Sequence, residues 1–157
     1  MIEEWKITRS IIEDTERTFR RGAHEVFAIW TAPLKEAGSE CRIKRCVVPD
    51  QKPGFSSQGG AYVHIEGREL SRIQFDNYDH GERSVVQLHT HPGPDVTMSE
   101  LDRQWEVVCH VDALSIIVPS YCKHGLLGFQ GASVYEREER GWRRWGVSEI
   151  ARRLIVT

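Results

Sequence analysis

The sequence lacks several features that would assign it to a broad class at once. It has no apolar run long enough to cross a bilayer and no amino-terminal signal-peptide pattern, so we expect no membrane partner. It contains only four cysteines, and none of them stand in a Cys-x-x-Cys pair. These absences favour reduced thiols and a cytoplasmic location.

An excess of positive charge is also missing. The chain has 21 Lys and Arg residues against 23 Asp and Glu residues, a net charge of -2, whereas proteins that neutralise phosphates need a clear basic excess. We therefore expect no nucleic-acid partner. The one arginine-rich stretch, between Arg137 and Arg153, is interleaved with glutamates, which favours a solvated mixed-charge face over a docking surface for an acidic partner.

The length and composition are those of one folded domain. The chain has 157 residues, of which 39% are hydrophobic and 28% charged, and it contains no internal repeat. We expect a single domain over 1–157, of class α/β, with a single mixed β-sheet flanked by helices. The hydrophobic patterns predict helices at 1–21, 65–80 and 99–110, strands at 25–31, 41–48, 84–88, 113–119, 126–138 and 141–147, and a short final helix.

The most informative stretch is His89-Thr90-His91-Pro92, followed after a gap by Ser99-Glu100-Leu101-Asp102. Because strand side chains alternate, His89 and His91 share a face. Ser99 opens the predicted helix, and Asp102 lies one turn inside it, where a strand-to-helix turn can bring it back toward the histidines.

Two imidazoles and one carboxylate suit a single zinc ion, with a fourth position left open as in catalytic sites. Zinc lowers the pKa of bound water to about 7. Each residue also has a simpler explanation, because Ser99-x-x-Asp102 resembles a helix capping box and the histidines could be partly buried polar residues. The conjunction of the two patterns favours the metal site.

A glutamate upstream of this motif also stands out. Glu25 opens the only early apolar run, Glu25 to Thr31, whereas the other early glutamates lie in charged, helix-like surroundings. Burial there would raise its pKa and a nearby zinc ion would oppose that shift, leaving a group able to move protons near neutral pH. An ordinary strand-edge glutamate is the alternative.

The spacing His-x-His-Pro, then Ser-x-x-Asp, resembles the signature of the JAMM (MPN-plus) metalloprotease superfamily, and 25–30 fits the strand that carries its catalytic glutamate. The resemblance implies a three-layer fold like that of cytidine deaminases. It implies that His89, His91 and Asp102 hold one zinc ion, that Glu25 transfers protons, and that Ser99 helps stabilise the oxyanion.

The resemblance further implies a zinc-dependent isopeptidase or peptidase that cleaves after the C-terminal glycine of a ubiquitin-like protein. Small bacterial members accompany ubiquitin-type conjugation or antiphage systems, so the expected partners are a ubiquitin-like protein, its conjugates, and activating and conjugating enzymes of the same operon. The alternatives are a non-catalytic JAMM-fold module that binds such a partner, a peptidase that processes sulfur-carrier proteins, and a RadC-like protein.

Two further segments are weaker candidates for sites. A second, structural zinc is not expected at Cys109-His110 and Cys122-x-His124, because these pairs lack the usual knuckle spacing. Pro49 to Gly60 has the composition of a loop, which either clamps an extended peptide, with Phe55 as a contact, or is a plain connection.

Overall fold

The computed structural model describes residues 1–36, 38–55 and 61–157. Its helices are α1 (Arg9–Phe19), α2 (Gly67–Asp79), α3 (Glu100–Gln104) and α4 (Val147–Arg153). Its strands are β1 (Glu4–Ile7), β2 (Phe27–Pro33), β3 (Glu40–Arg42), β4 (Arg45–Val47), β5 (Lys52–Phe55), β6 (Ala61–His64), β7 (Glu82–Thr90), β8 (Leu114–Val118), β9 (Ser133–Glu138), β10 (Gly141–Arg144) and β11 (Leu154–Val156).

The central sheet has six strands in the order β10-β9-β8-β7-β2-β4. Its two middle strands, β7 and β8, run parallel and the other pairs are antiparallel, so the sheet is mixed. Ile11, Ile12 and Phe19 of α1 join the core on one face of the sheet, and Ile73 of α2 joins the core on the other. The predicted α/β class with helices on both sides of a mixed sheet is confirmed.

Strand β2 is buried on both faces, which explains why its sequence is apolar at every position except Thr31. Ala28 and Trp30 face the α1 side, whereas Phe27 and Ile29 face the α2 side. Phe27 lies opposite His89 in the antiparallel pairing with β7. The α2 side of this sheet therefore carries the histidines of the motif.

Two small sheets accompany the central one. Strand β1 lies between β11 and β3, parallel to both, and β5 pairs with β6 as a hairpin. The predicted helix at 1–21 is therefore wrong at its start. Trp5 and Ile7 are buried while Glu4 is exposed, and this alternation of period two is the mark of a strand, after which α1 begins at Arg9.

Other predicted boundaries are also corrected. The strand expected at 41–48 is divided into β3 and β4, which belong to different sheets. The segment expected to be a loop, 49–60, contains β5. Residues 56–60 and the side chain of Phe55 lie outside the described part of the structure, so the expected peptide contact of Phe55 stays a prediction. The strand expected at 126–138 begins only at Ser133, and β11 was not predicted.

The helix expected at 99–110 ends at Gln104. The cause lies on β7, where the side-chain oxygen of buried Gln87 accepts hydrogen bonds from the backbone amides of Val107 and Val108, at 3.0 and 2.9 Å. Amides held by this side chain cannot also bond to a carbonyl one helical turn earlier. In the described part of the chain, no helix combines the length and apolar character that a membrane span requires.

Two arginines of the arginine-rich stretch, Arg143 and Arg153, form ion pairs with its own glutamates. Arg153 is buried, lies over the ring of Trp145 at 4.1 Å from the ring centre, and donates to Glu136 at 2.8 Å. Arg143 and Arg153 both bind Glu149, each at 3.0 Å. These ion pairs join α4 to β9 and β10. The face is mixed in charge, as expected from the sequence, but Arg153 and Glu136 are buried rather than solvated.

This network predicts an acid-sensitive contribution to stability. Hydrogen bonds from Arg143, followed by those from Arg153, lower the pKa of Glu149 from 4.5 to about 2. A lowered carboxyl pKa stabilises the fold above pH 4.5, and that contribution is lost as the pH falls from 4.5 toward about 2. We expect Glu149→Gln to lower the free energy of unfolding at pH 7 by about 1 kcal/mol after allowance for solvent screening, and by much less near pH 3. Urea unfolding at the two pH values tests this, and an equal loss at both would contradict it.

Candidate metal centre

Strand β7 delivers both histidines to one point. His89 is the penultimate residue of β7 and His91 follows its end, so both side chains project from the same face. Their Nε2 atoms lie 3.2 Å apart. His89 is 5% exposed, and the imidazole of His91 is only slightly more accessible.

Helix α3 brings the carboxylate to the same point. The two oxygens of Asp102 lie 3.1 Å from Nε2 of His89 and 3.2 Å from Nε2 of His91. The helix start is held in place because the backbone amide of Met98 donates to the hydroxyl of Tyr135 at 3.0 Å, and the hydroxyl of Ser133 donates to the carbonyl of Val96 at 2.6 Å. Strand β9 therefore anchors the connection between the histidines and Asp102.

Ser99 and Asp102 also form a complete capping box. The Ser99 hydroxyl accepts the backbone N–H of Asp102 at 3.1 Å, and an Asp102 oxygen accepts the backbone N–H of Ser99 at 2.8 Å. The capping explanation of this motif is therefore correct as far as it goes. Because a carboxylate can accept several hydrogen bonds, the cap leaves Asp102 able to face both imidazoles.

The donor set fits a divalent metal such as zinc. Donors on a tetrahedral zinc ion with bonds of about 2.0–2.1 Å lie about 3.3 Å from one another. The two Nε2 atoms are 3.2 Å apart, and each lies 3.1 or 3.2 Å from a different oxygen of Asp102, so that one ligand atom from each residue falls within 4.8 Å of the others. The other ring nitrogen of His91, Nδ1, is 2.8 Å from the carbonyl of Asp95, the kind of contact that orients metal-bound histidines. Within the described residues, this trio is the group whose ligand atoms converge closely enough to hold an ion.

His89 differs from His91 at its second nitrogen. Its Nδ1 is buried and has no hydrogen-bond partner among the described residues. The ring is instead stacked on Phe27, with ring centres 6.2 Å apart and an angle of 9° between the planes. Packing against Phe27 thus fixes the orientation of the His89 ring, whereas the contact with the Asp95 carbonyl fixes that of His91.

The charges at the centre are strongly interdependent. Burial opposes ionisation of Asp102, but hydrogen bonds from His89 and His91 outweigh it and hold the pKa of Asp102 well below its usual value. Burial likewise opposes protonation of His91, yet its contacts with Asp102 and Asp95 raise the pKa of His91 above its usual value. The site is thus built around an ionised carboxylate and attracts positive charge, carried either by protons or by a metal ion.

Glu25 lies beside this group. It is buried, at 6% exposure, two residues before β2 begins, and the pairing of Phe27 with His89 carries it toward His91. The backbone there is fixed because Thr90 N–H donates to the carbonyl of Val26 at 3.1 Å, while the Thr90 hydroxyl accepts the Val26 N–H at 3.0 Å. Burial raises the pKa of Glu25 to about 7, with His91 opposing the shift and Asp102 adding to it.

A narrow slot of about 30 Å³ adjoins these residues. Its walls are Tyr62 and Val63 of the hairpin on one side and Leu101 and Trp105 at α3 on the other. Trp105 is 55% exposed and meets His64 edge to face at 5.7 Å between ring centres. The slot opens onto the carboxylates.

Gln51 has a structural role in this region that the sequence pattern does not predict. Its side-chain oxygen accepts the N–H of Phe27 at 2.6 Å, and its side-chain nitrogen donates to the carbonyls of Phe27 and Pro49, each at 2.9 Å. Strand β4 pairs with β2 only from Ile29 to Thr31, so it does not reach Phe27. The Gln51 side-chain amide makes the two backbone hydrogen bonds to Phe27 that a neighbouring strand would otherwise make. It ties the base of the hairpin to the segment that carries Glu25.

We expect Gln51→Ala to destabilise the protein by about 2–3 kcal/mol, because it leaves the buried backbone groups of Phe27 without partners. Urea unfolding measures the change, with Gln130→Ala, at an exposed glutamine, as the matched control. A change as small as that of the control would show that Gln51 does not hold this strand.

The two Cys-His pairs lie at opposite ends of β8. Cys109 and His110 precede the strand, and Cys122 and His124 follow it. A strand of five residues spans about 17 Å, too far for the pairs to share one ion. Cys109 is exposed and Cys122 is buried.

Comparisons with known proteins agree with this geometry at a coarse level. No family model matches the chain. The chain is 23% identical over 149 residues to "Probable metalloprotease y4jG" of Sinorhizobium fredii (strain NBRC 101917 / NGR234), covering 94% of this chain and 89% of the relative. Its fold is similar to the solution structure of protein DSY2949 from Desulfitobacterium hafniense, with a TM-score of 0.64, 13% identity, and coverage of 98% of this chain and 92% of the other. The second likeness concerns the fold alone.

Proposed function

We propose that the protein is a zinc-dependent peptidase of the JAMM type. The observation that carries this proposal is the convergence of the ligand atoms of His89, His91 and Asp102 within 4.8 Å of one another, with buried Glu25 beside them. The name of the Sinorhizobium relative, a probable metalloprotease, supports the same class. Zinc is chosen because two imidazoles and one carboxylate, with a fourth position open, are a common ligand set of catalytic zinc.

A bound zinc ion would supply Lewis acidity and lower the pKa of a water molecule at the site. Glu25 takes the proton of the attacking water and later delivers it to the departing amide nitrogen. In the metal-free protein burial raises the pKa of Glu25 to about 7, and a bound zinc ion would oppose this rise. The balance suits both steps, because a group that titrates near the working pH accepts and releases protons with comparable ease.

Ser99 is proposed to stabilise the oxyanion. Its oxygen is already used as an acceptor by the Asp102 amide, which leaves the hydroxyl hydrogen free to be donated. Removal of a single hydrogen-bond donor to an oxyanion lowers the rate by about 10²-fold, and we expect a loss of this size when the Ser99 hydroxyl is removed. Capping and catalysis are therefore compatible roles for this side chain.

The proposed substrate is a ubiquitin-like protein, cleaved after its C-terminal glycine either from a conjugate or from a precursor. The resemblance of the two motifs, His89-x-His91-Pro92 and Ser99-x-x-Asp102, to the JAMM signature supports this substrate class. The setting we propose is a bacterial ubiquitin-like conjugation or antiphage system, with activating and conjugating enzymes as functional neighbours in the cytoplasm.

Cleavage of fusions tests this function. The zinc-loaded full chain is incubated with ubiquitin-like proteins joined through their C-terminal glycine to a reporter, or to a lysine side chain. We expect cleavage that stops after the glycine, is abolished by dipicolinate, and returns when zinc is added back. Binding of the fusions without cleavage would overturn the peptidase and favour a non-catalytic module, whereas cleavage that survives removal of the metal would overturn the proposed chemistry.

A further inference from the structure

Helix α2 carries an apolar pair on its outer face that the proposed peptidase site does not use. Phe75 is 74% exposed and Tyr78 is 79% exposed, and no described residue covers them. At three residues apart on a helix, the two rings are neighbours. Single exposed apolar residues are common on protein surfaces, but adjacent aromatic rings with this exposure mark an interaction surface.

The exposed charged residues near this pair differ in sign between the two ends of the helix. Arg68 and Arg72 lie toward the beginning, and Asp79 is the last helical residue. Arg68 is 90% exposed and Arg72 is 58% exposed. Arg72 contacts Glu69 through one of its nitrogens and keeps other donors available, while Asp79 has no ion pair within the described residues.

We propose that this face binds a second copy of the chain, with the two α2 helices antiparallel and Phe75 on the two-fold axis. Antiparallel packing about residue 75 brings together residues that share one side of the helix face and that lie, to within one residue, equally far before and after residue 75. It sets Tyr78 against the small Ser71 of the partner helix, and Asp79 against the partner helix's Arg72. Because Ser71 and Tyr78 are seven residues apart, as are Arg72 and Asp79, each pair occupies one side of the helix face.

The pattern therefore complements itself in size and in charge. The Tyr78 ring meets the small Ser71, the two Phe75 rings meet each other, and Asp79 of one helix meets Arg72 of the other. The helix has 13 residues, about 20 Å, so the contact falls at the small end of protein interfaces and the dimer is expected to be reversible. Exposed ion pairs then set orientation more than affinity.

Sedimentation equilibrium of the metal-free full chain, over about 5 to 500 μM, tests the proposal without any substrate. We expect a monomer-dimer equilibrium that Phe75→Ser weakens at least 10-fold. Val147→Ser, at an apolar residue of α4 with 86% exposure, is the matched control and is expected to change nothing. A chain that stays monomeric throughout, or a Phe75→Ser variant that dimerises as well as the unaltered chain, would overturn the proposal.

A charge-reversal pair tests the orientation. Asp79→Lys and Arg72→Glu each place like charges in contact across the two-fold axis, so each variant alone is expected to dimerise more weakly. Mixing the two restores opposite charges at both contacts and is expected to restore association. If the mixture associates no better than its components, the antiparallel arrangement is wrong.

Cross-linking covers the case in which a charge variant fails to fold. In a Cys109→Ser background, Phe75→Cys is expected to form an intermolecular disulfide upon mild oxidation, because residue 75 lies on the two-fold axis. Oxidation is carried out at the upper end of the concentration range, since loss of the Phe75 ring itself weakens the dimer, and the disulfide then traps each dimer as it forms. Val147→Cys in the same background is the control. Equal cross-linking at the two positions would place the contact elsewhere.

Discussion

Replacing Glu25 by glutamine is expected to abolish nearly all turnover while leaving metal binding intact. Glutamine has the size and hydrogen-bonding capacity of the glutamate but cannot take a proton from water, and loss of a positioned general acid-base group costs about 10²–10⁴-fold in rate. Glu25 lies outside the trio of converging ligand atoms, so zinc content should not change. The measurements are the cleavage rate on a glycine-ended fusion and the bound zinc after gel filtration.

The same substitution has a second consequence, which can be measured without a substrate. Because burial raises the pKa of Glu25 from 4.5 to about 7, the metal-free protein must ionise a buried carboxyl as the pH rises through that range. A raised carboxyl pKa destabilises the fold progressively above pH 4.5 and fully above about pH 7. Glu25→Gln removes this cost, so the metal-free variant should gain stability on the order of 2 kcal/mol at pH 8 and little at pH 5.

The control for both measurements is Glu13→Gln, at an exposed glutamate of α1. It should change neither the rate nor the stability. An active Glu25→Gln protein would remove Glu25 from the mechanism even if the metal site were correct. Loss of zinc in that variant would instead mean that Glu25 belongs to the ligand set.

The candidate metal centre could be predicted because its information is local. His89 and His91 are fixed relative to each other by the two-residue period of a strand, and Ser99 and Asp102 by the first turn of a helix. Only the turn between these two elements had to be inferred. Glu25 is different, because it comes from a distant part of the sequence, just before β2, and only the family resemblance and the apolar run after it indicated its position.

The features that were missed depend on contacts between distant parts of the chain. Gln51 binds both backbone groups of Phe27, and Gln87 ends α3 by binding the amides of Val107 and Val108. A glutamine that replaces a strand or stops a helix has no periodicity that would reveal it in the sequence. The short β1 did carry a signal, the alternation of Trp5 and Ile7 with polar residues, but the helical pattern that follows it masked that signal.

Removing a metal ligand is expected to eliminate zinc binding together with activity, in contrast to the effect at Glu25. His89→Ala or Asp102→Ala leaves two of the three converging donors. Loss of a residue that merely orients a ligand costs about 10–100-fold in affinity, so loss of the ligand itself should cost about 100-fold or more. Isothermal titration with zinc measures this directly, and His124→Ala, at an exposed histidine, is the control.

Thermal unfolding separates the metal role of Asp102 from its capping role. Zinc at about 100 times its dissociation constant should stabilise the native protein by about 2.7 kcal/mol, and this gain should vanish in His89→Ala and Asp102→Ala. Ser99→Ala, which removes the other half of the capping box, should lose about 1 kcal/mol of stability but keep the gain from zinc. Asp102→Ala could instead keep the stabilisation by zinc and lose no more unfolding free energy than Ser99→Ala does. In that case the Ser-x-x-Asp motif would be a helix cap and not part of a metal site.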